Sequence, residues 1–151
     1  MAKKRVRKSP KSPLFKQSGI ELPAVKLFKA DDEFVVGQNS IGWMSEDFKK
    51  VVAGVTERNI GKAVLKSQEL ARPAQTKEII QTIGKRGSIS LAHLKALLAS
   101  QTKSFLAVVY MKGKLWLVNV YRLGGGWDFY ASPLDCPFEW SDGNQVFSQV
   151  R

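Results

Sequence analysis

Three runs of apolar, aromatic and β-branched residues, 105–111, 115–123 and 127–131, follow one another in the last third of the chain. Lys112-Gly113-Lys114 and Gly124-Gly125-Gly126 separate them, and glycine supplies the positive φ that tight hairpins need. The pattern predicts a three-stranded antiparallel meander. It also sets a packing condition, because the middle run is apolar on both faces. Leu115 and Leu117 point one way; Trp116, Val118 and Val120 point the other. One layer of helices covers only one face. The other must be covered by segments before residue 45, by the C-terminal tail, or by a partner.

Upstream of the meander the apolar spacing is helical. Phe48, Val51, Val52 and Val55 fall at i, i+3, i+4 and i+7 behind Ser45, an N-cap residue followed by Glu46 and Asp47 in the first turn. Further helices are expected over residues 60–71, ending before Pro73, and over 74–83, with Gly84 as the C′ residue. A fourth starts after Ser88 or Ser90 and carries Leu91, Leu94, Leu97 and Leu98. Short extended pieces at 24–28 and 33–36 precede a turn region at Gly37, Asn39 and Gly42. A last strand at 145–150 follows Asp142-Gly143-Asn144. The expected fold is α+β: a helical N-terminal half packed on a three- to four-stranded antiparallel meander, preceded by a flexible basic arm. The arm is residues 1–20, and 21–151 form a single compact domain.

The net charge of +11 is unevenly spread over the 151 residues. Residues 1–29 hold nine Lys or Arg against Glu21, whereas 30–47 hold five acids and no base. Residues 48–103 hold eleven bases against three acids, and the remainder balances. Lys3, Lys4, Arg5, Arg7, Lys8 and Lys11 lie in a segment too poor in apolar groups to offset its own ordering entropy. Such an arm suits a polyanion, because each base that neutralises a phosphate releases counterions. The run from Lys3 to Lys8 resembles a short nuclear-import signal, and Ser9-Pro10-Lys11-Ser12-Pro13 resembles the tails of linker histones.

Residues 74–100 have the length of a helix-turn-helix with Gly84-Lys85-Arg86-Gly87 as the turn. The second helix offers only His93 and Lys95 to base edges, which favours a buried helical hairpin whose Lys85 and Arg86 touch phosphate without sequence preference. His93 is expected on the side of its helix away from the leucines. Asp31-Asp32-Glu33 reads as a solvated acidic turn docked on basic helices, since neighbouring carboxylates on an extended segment diverge.

Chemistry is sparse. One cysteine allows no internal disulfide, which points to a reducing, intracellular setting, cytoplasmic or nuclear and nucleoid. Asp135 beside Cys136 opposes thiolate formation, and one His with one Cys makes no ordinary zinc site. No secretory segment is expected, because no apolar stretch follows the N-terminal charges. The expectation is therefore a protein with no catalytic set, metal or cofactor. It is read as a nucleic-acid-associated accessory protein that holds phosphate backbone through the arm and the 85–86 turn. The alternative is a protein-interaction module, an adaptor, inhibitor or assembly factor, that uses the aromatic sheet at Trp116 and Trp127 while the arm solubilises or targets it.

Overall fold

The meander expected from the glycine-separated runs forms the centre of a much larger sheet. The computed structural model describes residues 19–150. In chain order the elements are β1 (Ile20–Leu22), β2 (Val25–Lys29), α1 (Ala30–Glu33), β3 (Ile41–Met44), α2 (Glu46–Val52), β4 (Thr56–Ile60) and β5 (Ala63–Glu69). Then come β6 (Ala74–Gln75), α3 (Thr76–Gly87), α4 (Leu91–Leu97), β7 (Phe105–Met111), β8 (Lys114–Leu123), β9 (Gly126–Ser132), β10 (Glu139–Trp140) and β11 (Gln145–Gln149). Seven strands make one mixed sheet in the order β1-β5-β11-β7-β8-β9-β3, parallel at β11–β7 and at β3–β9.

This corrects the expected fold. Strand accounts for 44% of the described residues and helix for 23%, and the helices are scattered between strands. There is no helical half resting on a small meander. The largest change is at residues 60–71, which form β5 instead of a helix. Ile60, Val64 and Leu70 suggest a helical stripe, but Ala63 and Leu65 are buried while Val64 between them is 41% exposed, the alternation of a strand. Its hydrogen bonds come from β1 on one side and β11 on the other, partners far away in sequence. β3 was hidden in an expected turn region, and residues 33–36 end a single helical turn at Glu33 instead of forming a strand.

Three local expectations agree with the structure. Ser45 Oγ accepts from the Phe48 amide at 3.1 Å, capping α2, whose Phe48, Val51 and Val52 are buried. Ser90 caps α4 in the same way through the His93 amide. β7, β8 and β9 pair antiparallel through two-residue turns, Lys112-Gly113 and Gly124-Gly125, with positive φ at all four positions as type I′ turns demand.

α3 and α4 are not a hairpin. α3 packs on one face of the sheet, with Ile79 and Ile80 against Leu106, Val108, Leu117 and Val146. α4 packs on the other face with α1, α2 and the β2–β4 ribbon, around Phe48, Leu94, Phe105, Val118 and Phe129. Gly84 has φ 67° and ψ 179°, a conformation open essentially to glycine, and there the helix breaks. The chain then crosses the sheet at Ile89, which donates to the Val108 carbonyl at 2.9 Å and bridges to Val109. Both faces of the meander are thus covered from within the chain. On the α3 side, however, the exposed Tyr121, Leu123, Tyr130 and Trp43 leave the β8–β9–β3 end open.

One side-chain reading is corrected and one agrees. His93 is buried, 2% exposed, with Nε2 at 3.0 Å from the Pro23 carbonyl oxygen, so it faces the chain before β2 and not solvent. The acidic turn does dock: Asp31 Oδ1 accepts from the Gly54 amide at 3.0 Å, and Glu33 pairs with Lys95 on α4 at 3.0 Å.

Candidate functional site

The β7–β8 turn places Lys112 at φ 51°, and its Nζ donates to the Lys50 carbonyl oxygen at 3.1 Å. That carbonyl belongs to the last turn of α2, where a cation also meets the negative end of the helix dipole. Lys114 begins β8 and is exposed. On the opposite face of the hairpin, α3 ends with Lys85 and Arg86, both exposed. Lys85 Nζ lies 4.3 Å from the centre of the Tyr110 ring, a cation–π contact at the end of β7.

Topology therefore gathers Lys50 of α2, Lys85 of α3, and Lys112 and Lys114 of the β7–β8 hairpin around one end of the sheet. Two grooves lie among them. A groove of about 560 Å³ runs between α3 and the start of β8, lined by Gly84, Lys114, Leu115, Trp116 and Leu134. A second, of about 290 Å³, is lined by Asp47, Lys50, Lys112, Lys114 and Trp116. Trp116 forms a wall of both. Its indole N–H is buried with no hydrogen-bond acceptor among the described residues, a cost of about 1–3 kcal/mol to the free protein. Lys50, Lys112 and Lys114 line the two grooves, with Asp47 and Asp135 as the carboxylates in the same linings, and Lys85 stands beside them over Tyr110, so the rim is electropositive.

Of the residues singled out from sequence, Lys85 and Trp116 meet at this rim, and the exposed Arg86 follows Lys85 at the end of α3. Trp127 does not. It is 2% exposed, packed 6.0 Å from the Phe105 ring with the Arg122 guanidinium 4.6 Å above it, and belongs to the core. Lys3, Lys4, Arg5, Arg7, Lys8 and Lys11 lie outside the described residues. Sequence reasoning missed Lys112 and Lys114, which read only as hairpin punctuation, and did not single out Lys50. A Lys-Gly-Lys turn between two strongly apolar strands was the available signal, since such a turn must project both bases from the end of the sheet.

Neither Cys136 nor His93 lines the two rim grooves. Cys136 is half-buried in the loop after β9, and the buried His93 is bonded to Pro23 on the other face of the sheet. No three His, Cys, Asp or Glu among the described residues are grouped to hold a metal ion. Away from the rim, Arg72 forks onto Glu78, and these hydrogen bonds hold the Glu78 carboxyl below the usual carboxylate range. No helix among the described residues is long and apolar enough to cross a membrane. No protein-family model, curated protein or solved structure matches the chain.

Proposed function

We propose that this chain is a non-enzymatic, nucleic-acid-associated accessory protein that holds phosphate backbone at the hairpin end of its sheet, with the basic N-terminal residues adding further phosphate contacts. The observation that carries the reading is the convergence of Lys50, Lys85, Lys112 and Lys114 on one rim, with Asp47 and Asp135 as the carboxylates in the groove linings. Exposed lysines on a rigid hairpin suit a repeating array of phosphates, because their affinity comes from counterion release and asks for no base sequence. The groove wall supplied by Trp116, and Tyr110 beneath Lys85, place aromatic surface beside those charges. Such a protein works inside the cell, in the cytoplasm or at the nucleus or nucleoid, where its single cysteine stays reduced.

Affinity purification of the full chain from its native cell, with and without nuclease, tests the reading. Nucleic acid should co-purify, and associated proteins should be lost on nuclease treatment. A defined protein partner retained after nuclease, with no nucleic acid recovered, would contradict it and favour the interaction-module alternative.

A further inference from the structure

The open end of the sheet has a chemistry unlike that of the rim. Alternation along β8 puts Asn119, Tyr121 and Leu123 on the α3 side, and pairing brings Asn119 opposite Tyr130 and Tyr121 opposite Asp128 on β9. Parallel pairing sets Trp43 of the edge strand β3 beside Asp128. α3 packs against Leu106, Val108 and Leu117 and leaves this end uncovered. Trp43 is 47% exposed, Tyr121 44% and Tyr130 36%. The Trp43 and Tyr130 rings lie 5.2 Å apart. Three aromatic rings thus stand on three adjacent strands, roughly 4.8 Å from strand to strand.

We infer that this face is a stacking platform for single-stranded nucleic acid, an inference that rests on the nucleic-acid reading above but assigns a second surface and a strand preference. Two features select this occupant. The chain carries a net +11, and Lys85 over Tyr110 sets a positive charge on the same side of the sheet, so a polyanion is the complementary ligand. The platform is also not a plain apolar patch. The Asn119 amide and the Asp128 carboxylate lie among the rings, half-buried and, among the described residues, without side-chain hydrogen-bond partners. An apolar protein face would bury those groups unsatisfied, at a cost. Unpaired bases stack on the rings and offer donor and acceptor edges to an amide and a carboxylate. A duplex offers neither, because its bases are already stacked and paired. The Lys85 part of the rim lies on the platform's side of the sheet, since Tyr110, the ring beneath Lys85, shares the face of Leu115 and Tyr121.

The test compares oligothymidylate with a duplex of the same length, at low and high salt, for the full chain and three variants. The wild type should keep oligothymidylate and release the duplex as salt rises. Trp43→Ala and Tyr130→Ala should each weaken oligothymidylate by about fivefold to about a hundredfold, leaving low-salt duplex affinity unchanged. Trp43→Phe, which keeps an aromatic face, should restore most of the loss. Unchanged oligothymidylate binding in both alanine variants overturns the platform and leaves the phosphate rim standing. Equal loss of duplex and single strand, or failure of Trp43→Phe to rescue, also overturns it. A protein partner lost on Trp43→Ala while oligothymidylate binding is unaffected reassigns the face. Binding of neither nucleic acid by the wild type overturns both readings.

Discussion

Glu57 is the residue whose loss should reveal most about how the fold is held. It lies on β4, yet its carboxylate oxygens accept from the amides of Leu91 and Ala92 at 2.9 and 3.0 Å, at the start of α4. Ser90 takes the next two amides, His93 through Oγ at 3.1 Å and Leu94 through its carbonyl at 2.9 Å. Every amide of that first turn is therefore satisfied, two of them by a residue 34 positions upstream. Glu57→Ala removes a carboxylate from the positive end of the helix and leaves two partly buried amides without partners. A charge-assisted hydrogen bond contributes about 1.5–3 kcal/mol, and water entering the gap recovers part of that, so the net loss should be about 2–4 kcal/mol. At roughly 3 °C per kcal/mol for a chain of this size, the midpoint should fall by about 10 °C. Glu57→Gln keeps one acceptor and should cost about half as much. Thermal unfolding followed by far-ultraviolet circular dichroism reads both. A fall of under about 2 °C for Glu57→Ala, or a larger fall for Gln than for Ala, would refute the capping argument.

Four further substitutions test stability and binding. Leu94→Ala empties a fully buried position and should cost about 2–5 kcal/mol, while His93→Ala should cost about 1–3 kcal/mol through its lost bond to Pro23; denaturant titration measures both, and an inert His93 would contradict its burial. Lys112→Asn relieves a positive-φ lysine at the expense of its bond to Lys50, so the thermal midpoint should move by no more than a few degrees while the salt dependence of duplex binding flattens by about one unit. Trp116→Phe removes an unsatisfied buried donor and should change stability by less than about 1 kcal/mol, and a loss above about 3 kcal/mol would show that the indole N–H has a partner.

What could be read from the sequence was what local chemistry determines. The hairpins at 112–113 and 124–125 follow from Gly113, Gly124 and Gly125, which accept positive φ, and the caps at Ser45 and Ser90 from side chains that reach amides three residues on. β5 was misread because residues 60–71 fit two periods at once, and the choice was made by β1 and β11, whose pairing the local pattern does not encode. β3 has four residues, one of them Gly42, and exists as a strand only through its parallel partner β9. His93 looked solvent-facing on a helix judged alone, but the chain before β2 covers that side. The site divides in the same way. Lys85 and Arg86 are visible as a basic pair, while the meeting of Lys85 with Lys112, Lys114 and Lys50 requires the sheet topology. Aromatic content was plain in the sequence, but which rings stay exposed was not. Trp127 faces Phe105 and the covered side, whereas Trp43 and Tyr130 fall on the face that α3 leaves open.

The central claim, that a rim of lysines holds phosphate backbone, is tested most directly by the slope of log K against log salt for duplex DNA. Wild-type chain and the Lys85→Ala/Lys112→Ala/Lys114→Ala variant are measured side by side. Each engaged phosphate contributes about −0.9 to the slope, so the wild type should be steep and the variant shallower by about two to three units, equally for unrelated duplex sequences. The variant's thermal midpoint should stay within a few degrees of wild type, because the lysine side chains are exposed. Identical slopes for the two proteins, or no binding by the wild type at low salt, would contradict the claim.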